Sequence, residues 1–373
     1  MIPPMKKLLS AALSLCLALS LCTPAFAAAN SLDNFQQTAT YNNNFSDVSA
    51  TSWAASAVET CYEYGLMNGT GNGRFSPNGT LSVAEALVMA DRVHEIYTTG
   101  ESTLENGSPW YQPYVDYAIE NGIIQEGDFN SYTANATRAE MAYIFANALP
   151  DSALPAINDI DTLPDVEAVT PYATEIFTLY NAGVLTGSDV YGTCKPETTI
   201  TRAEAAAIIA RVAIAEERRE VTLLKDVTLG DSIVLALPQD VTNLSDSTAI
   251  IYMGSTAGAI IVSLDDSTFQ GVSITTLSTE MLNSIISDTF SSAGMPIMGI
   301  SSAQVTFGAI NAYRTTGILS YQGYQADCVL YTYISGSTLN IIALLSLDDD
   351  DTLLTNMANN VRVASSSVSP KLS

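Results

Sequence analysis

Positive charge is what this chain has least of: 373 residues carry 14 Lys and Arg against 39 Asp and Glu, for a formal net charge of −25. A polyphosphate partner requires a basic face that displaces its counterions, so nucleic acid is excluded. Histidine occurs once, at His94, which rules out a multi-His metal centre and leaves a His-dependent triad only that residue to use. Cysteines are few and form no CxxC pair. Beyond the first 27 residues there are Cys61, Cys194 and Cys328, an odd number that supports neither a disulfide framework nor a zinc site. Buried free thiols are expected, with a Cys61–Cys194 bridge left open.

Long apolar runs are also rare. The one that stands out, Leu8–Leu21, follows Lys6 and Lys7 and precedes Ala25-Phe26-Ala27, the small-x-small pattern of a signal-peptidase site. Residues 1–27 are therefore expected to be a cleaved signal peptide. Cys22 follows Leu21, where a lipoprotein signal wants a small residue. No later run approaches the ~20 residues that span a bilayer, so export without membrane insertion is the expectation.

What the chain does have is a pattern stated three times before residue 215. It opens with a hydrophobic-x-Asp-Val segment, Phe45-Ser46-Asp47-Val48 in one copy and Leu163-Pro164-Asp165-Val166 in another. A short amphipathic helix is predicted next, with Trp53, Ala57 and Cys61 and then Ala54, Val58 and Tyr62 at helical spacing. Each such helix stops at a Gly followed by an aliphatic residue: Gly65-Leu66, Gly122-Ile123 and Gly183-Val184. After a loop come Ser82-Val83-Ala84-Glu85, Thr137-Arg138-Ala139-Glu140 and Thr201-Arg202-Ala203-Glu204, each opening an Ala-rich second helix.

Ser or Thr followed three residues later by Glu is a capping box, so Ser82, Glu85, Thr137, Glu140, Thr201 and Glu204 are read as structural helix caps. Arginine does not follow from capping. At the first helical position a cation faces the positive end of the helix dipole, an unfavourable placement by ~0.3–1 kcal/mol when exposed. Free amides at a helix start attract anions, and a guanidinium beside them would complete a two-point carboxylate site, so Arg138 and Arg202 become candidate ligand residues. The first copy has Val83 at this position.

Three units of about sixty residues, with Phe-x-Asp-Val, a helix carrying Trp, Gly-hydrophobic, Phe75-Ser76-Pro77 and Thr-Arg-Ala-Glu, resemble S-layer homology (SLH) domains. The resemblance spans about residues 43 to 215 and implies repeats at 43–98, 108–150 and 160–215. It implies an all-α, three-fold pseudo-symmetric assembly whose grooves hold a secondary cell-wall polymer, often pyruvylated, on the bacterial surface. It also implies polymer-binding roles for Arg138, Arg202, Asp47, Trp53 and Asp165. The second copy offers Ser108-Pro109-Trp110-Tyr111 in place of the opening Asp, so no more than two competent grooves are expected. Residues 28–220 carry 8 cationic and 26 acidic side chains. That balance suits a polyamine-modified peptidoglycan as well as it suits an anionic polymer held by local Arg contacts.

Composition changes after the Glu216–Glu220 charge cluster. Strands are predicted at Ser232–Leu237, Ala249–Met253, Ala259–Leu264, Ala309–Leu319, Gln325–Tyr333 and Thr338–Ser346, with Ser335-Gly336 as a hairpin turn and helices at Leu277–Ser292 and about Thr352–Asn360. These describe an α+β domain with an antiparallel sheet over 221–363 and a flexible tail at 364–373. In element order this half resembles the PsbP-like fold. No catalytic constellation marks it: Asp265-Asp266 has no evident cleft, Asp348–Asp351 lacks the ligand alternation of a calcium site, and Tyr313, Tyr321, Tyr324, Tyr331 and Tyr333 read as sheet residues.

The reading is a multidomain protein: an SLH triplet anchoring a non-enzymatic binding module to the bacterial cell wall. Its partner is a secondary cell-wall polysaccharide or modified peptidoglycan, with no cofactor or metal. A surface-anchored hydrolase and a small S-layer lattice subunit are the alternatives, and the oligomeric state stays open.

Overall fold

The computed structural model describes residues 30–230, 233–247, 249–347 and 351–364, the side chain of Phe307 excepted. The expected signal peptide, the Asp348–Asp350 run, Ser232 and nearly all of the expected tail lie outside the described residues. The chain is an α+β multidomain protein of two compact units. The first runs through Thr186 and includes Lys195–Glu220; the second comprises Gly187–Cys194 and the chain from Val221 onward.

In the first unit the described helices come in pairs: α1 (Ala55–Glu63) with α2 (Val83–Thr99), α3 (Gln112–Glu120) with α4 (Arg138–Ala146), and α5 (Ala173–Asn181) with α6 (Arg202–Ala213). The first helix of each pair ends at a glycine with positive φ, Gly65 (69°), Gly122 (73°) and Gly183 (72°). That conformation returns the next amide to the helix. The Leu66, Ile123 and Val184 amides donate to the Cys61, Ala118 and Leu179 carbonyls at 2.8, 2.8 and 2.9 Å, the six-to-one bond of a Schellman end. Leu66, Ile123 and Val184 are thereby turned fully into the core, each contributing about 1.5–3 kcal/mol of burial. At Gly183 a side chain is also excluded by space, since a Cβ would lie 2.6 Å from the Arg219 carbonyl oxygen.

The second helices begin on Ser82, Thr137 and Thr201, each a reciprocal capping box with Glu85, Glu140 or Glu204. Substituting such a cap costs typically about 1 kcal/mol. The buried face of α1 is Val58 and Cys61, preceded by Ala54. Trp53, assigned to a helical stripe from its spacing, lies before the helix and is exposed. Its ring is large and apolar, but the inward face is already filled by smaller residues.

The second unit is built on a seven-stranded antiparallel sheet in the order β3-β4-β5-β9-β8-β7-β6 and a three-stranded sheet β1-β2-β10. The strands are β1 (Leu224–Leu229), β2 (Ile233–Pro238), β3 (Thr242–Asn243), β4 (Ile250–Met253), β5 (Ala257–Asp265), β6 (Ile297–Phe307), β7 (Ile310–Tyr321), β8 (Tyr324–Ser335), β9 (Thr338–Ser346) and β10 (Arg362–Val363). Helix α7 (Thr279–Ser292) and helix α8 (Asp351–Asn359) complete it. Period-two alternation sends β9 residues into two cores. Leu339, Ile341, Ala343 and Leu345 pack with Leu282, Ile286 and Phe290 of α7, while Ile342 and Leu344 pack with β2 and with Leu353, Leu354 and Met357 of α8. A strand covered on both faces is apolar throughout. Four strands were not anticipated from sequence: β1, where Lys225 and Asp226 interrupt the apolar pattern, β6, whose Ser, Gly and Gln content reads as loop, and the two-residue β3 and β10, too short to show a pattern.

Candidate functional site

The starts of α2, α4 and α6 meet. Short bridges join Thr80 to Thr201, Ser82 to Asn135 and Thr137 to Thr199, closing a ring of three segments. Each helix start donates its first two amides to a loop from another pair. Val83 and Ala84 reach the Ala134 and Tyr132 carbonyls (2.9 and 2.8 Å), Arg138 and Ala139 reach Thr198 and Pro196 (2.9 and 3.0 Å), and Arg202 and Ala203 reach Gly79 and Pro77 (2.8 and 2.9 Å). The third amide of each goes to the cap hydroxyl, at 3.3, 3.2 and 3.3 Å. The amides that a helix start ordinarily leaves open are thus taken within the chain. This corrects the expectation that they wait for an anion.

The arginines are explained by the same ring. Arg138 donates through one terminal nitrogen to Glu204 Oε1 at 2.8 Å, while Oε2 of that carboxylate serves the capping box. Its side chain is 13% exposed. Arg202 is 8% exposed; its Nε donates to the Phe75 carbonyl and a terminal nitrogen to the Asn68 carbonyl, both at 2.7 Å, with the guanidinium 4.9 Å from the Phe75 ring centre. Burial pulls its pKa down, opposed by the Glu85 and Asp47 carboxylates. A cation at the first helical position is therefore favoured by groups from the neighbouring pair, which outweigh the weak dipole penalty.

Asp47 and Asp165 hold the loops that supply those carbonyls. Asp47 accepts the Phe75 and Ser76 amides at 2.8 and 2.9 Å, with Arg74 Nε at 3.7 Å. Burial works to raise its pKa, but the two amides and Arg74 outweigh it and hold the carboxyl below its ordinary value. Asp165 accepts the Lys195 amide at 2.6 Å. Ser76 and Lys195 both sit at φ 57°, each just before a proline whose carbonyl receives a helix-start amide. Such a conformation is costly for a residue with a Cβ, and the carboxylates stabilise it. The structure thus brings Arg202 and Asp47 to one junction and Arg138 and Asp165 to another.

Trp53 lies apart from these internal contacts, 70% exposed. Trp110, not singled out as a binding residue from sequence, stands twelve residues before its helix-ending glycine, as Trp53 does, and is 40% exposed. The signal was available: these are the two tryptophans of the chain, at matched positions. A cleft of about 410 Å³ lies beside α5, lined by Asp161, Leu163, Val166, Ala173, Thr174 and Phe177 among others.

Elsewhere the candidates have structural uses. His94 is half-buried with Nδ1 2.7 Å from the Tyr117 hydroxyl, and burial lowers its pKa. Cys61, Cys194 and Cys328 are buried and outside any disulfide. In the second unit Asp265 accepts a bond from Ser337 Oγ (2.7 Å) and Asp266 caps a short 3-10 turn. Tyr313 and Tyr331 belong to the two cores, whereas Tyr321 and Tyr324 are exposed. Among the described residues no group of His, Cys, Asp or Glu is placed to hold a metal ion, and no helix is long and apolar enough to cross a membrane.

Comparison with known proteins bears on the first unit. The S-layer homology domain family matches residues 44–87. A surface-layer 125 kDa protein of Lysinibacillus sphaericus is 28% identical over 176 residues, 45% of this chain and 14% of that protein. An amylopullulanase of Thermoanaerobacterium thermosulfurigenes is 35% identical over 126 residues, 30% of this chain and 7% of that protein. The chain thus spans a small fraction of the curated relatives it matches. Among solved structures, the cyanobacterial PsbP of Synechocystis aligns with 39% of this chain and 94% of its own at 11% identity and a TM-score of 0.30, a likeness that carries no argument. Family and relatives agree on this region: the chain carries an S-layer homology domain at residues 44–87, and the relatives it resembles there include bacterial surface-layer proteins.

Proposed function

We propose that the three helix pairs are three SLH repeats, at 43–98, 108–150 and 160–215, that hold the protein non-covalently on the cell wall by groove recognition of a secondary cell-wall polymer. Residues 221–363 are then a displayed binding module, and no bond is made or broken. The observation that carries this reading is the ring of helix starts. In all three pairs the same two amides donate to a neighbouring loop, which supports reading two further copies beside the family match at 44–87.

Within this reading the residues divide. Asp47, Asp165, Arg138 and Arg202 set the width and shape of the grooves through their internal partners, and any polymer carboxylate they meet is met at a pre-built junction. Trp53, with its exposed ring, offers a flat apolar face to a sugar. A sedimentation assay with purified cell walls, intact or stripped of their secondary polymer, tests the proposal. The full chain is expected to sediment with intact walls and stay soluble with stripped ones. Equal retention by both would refute polymer recognition.

A further inference from the structure

Between Arg92 and Lys195 the sequence holds fifteen acidic residues and a single cation, Arg138, which is paired with Glu204. Six aromatic rings from this same stretch form one continuous strip. Trp110 packs edge-on against Tyr111 (centroids 5.6 Å apart), Tyr111 lies 6.0 Å from Tyr132, and Tyr132 lies 6.2 Å from Phe129. Phe129 is 6.4 Å from Tyr143, which stacks on Tyr172 at 4.6 Å with the planes 19° apart. Phe129 is buried, while the other five rings retain exposed surface. The strip crosses from the second helix pair to the third. Tyr172 is held at φ 59°, an uncommon conformation for a residue with a Cβ, and Ala173 and Thr174 directly after it line the cleft beside α5.

Carboxylates border the rings. Asp128 accepts from the Tyr143 hydroxyl at 2.5 Å and from the Gln125 amide at 2.7 Å. The phenols of Tyr132, Tyr143 and Tyr172 are all raised, by burial first and then by the negative field of acids that include Asp128, Glu126, Asp116, Glu140 and Glu175. Ring faces attract ammonium groups, and nearby carboxylates add to that attraction. An anionic sugar placed on these rings would face Asp128 and the neighbouring carboxylates.

We infer that this strip is a glycan subsite for amine-bearing sugars, whose apolar faces lie on the rings of Trp110, Tyr132 and Tyr172 and whose ammonium groups face Asp128 and its neighbours. The inference rests on the wall-polymer reading above and specifies the ligand chemistry at the junction of the second and third pairs. It separates the two junctions with arginines: at the one between the third and first pairs the rings of Tyr41, Phe45, Tyr62 and Phe75 also pack together, but the Arg202 guanidinium already lies 4.9 Å from the Phe75 ring centre.

Fluorescence tests it in the full chain. A Trp53→Phe variant leaves Trp110 as the single tryptophan, to be titrated with three oligomers of similar length: glucosamine, N-acetylglucosamine and galacturonate. The glucosamine oligomer is expected to shift the Trp110 emission, with an affinity that declines as salt rises. The neutral oligomer should bind about tenfold more weakly, the loss expected when one ammonium–ring contact and its carboxylate neighbours are removed, and galacturonate should leave the emission unchanged. Tyr132→Ala should weaken glucosamine binding without altering the far-ultraviolet circular dichroism. Equal binding of the neutral oligomer, any preference for galacturonate, or silent emission with all three overturns the inference. The wall assay keeps the two readings apart: a wild-type protein that sediments only with polymer-bearing walls while Trp110 reports no amine preference loses this inference and retains the anchor.

Discussion

Arg138 and Arg202 occupy the same position in the same four-residue motif, yet they do different things. Arg138 answers a carboxylate from the next pair, whereas Arg202 is sunk against two backbone carbonyls and an aromatic ring. The third member of the set is Val83, 1% exposed, whose helix start makes the same amide contacts with no cation at all. Three junctions share one backbone device and differ in the side chain that seals it. The backbone ring therefore defines the assembly, and the guanidinium is an addition that two of the junctions use.

The largest effect should come from Arg202→Ala. It removes two charge-assisted hydrogen bonds and strands the Phe75 and Asn68 carbonyls beside a new void, a loss of about 2–4 kcal/mol. Denaturant unfolding of the full chain, followed by a signal of the first unit, should show the midpoint fall. Arg138→Ala removes an ion pair whose partner Glu204 keeps its capping role, and about 1 kcal/mol is expected. If the two losses are equal, the contrast between the junctions is wrong.

A second contrast separates the repeats through their second helices. Six residues after each capping glutamate stand Asp91, Ala146 and Ala210, all buried. Both carboxyl oxygens of Asp91 lack a hydrogen-bond partner. Burial, then the Glu95 carboxylate one turn on, pushes its pKa up to about 9 from an ordinary value of 3.8. The folded protein thus keeps a proton that the unfolded chain releases, so this group's contribution to stability is present below about pH 4 and is lost as pH rises toward about 9. Tyr117, from α3, is the other titratable group in its field. Asp91→Ala, which copies the other two repeats, should flatten this part of the pH profile and stabilise the protein at mildly alkaline pH. Unfolding midpoints that change identically with pH in variant and wild type would sink the argument.

These contrasts also show which features the sequence made legible. Capping boxes and glycine ends are local signals, stated within four residues, and the helices start and stop at them. The partners of Arg202 were invisible because they are carbonyls, sixty or more residues away in every case, and a carbonyl carries no residue signature. The aromatic strip was invisible for a related reason: its rings come from four separate elements and loops, with spacings that match no period. In the second unit the apolar strands were legible from composition. Strands β1 and β6 were not, because edge or partly wetted strands need no apolar run to pair.

The smallest stability effect and the sharpest functional one should fall on the same residue. Trp53 is 70% exposed and precedes its helix, so Trp53→Ala should move the unfolding free energy by no more than about 0.5 kcal/mol. If its ring is a sugar platform, the same change should reduce sedimentation with intact walls. Arg138→Ala makes the complementary case, lowering stability and acting on retention through groove shape, so that its retention loss should shrink as the temperature is dropped well below the midpoint. The Trp53→Ala loss should persist, because nothing in the fold needs to be restored. A Trp53→Ala protein that keeps full retention at every temperature would move wall contact off this ring, to the aromatic strip that begins at Trp110 or to the junctions themselves.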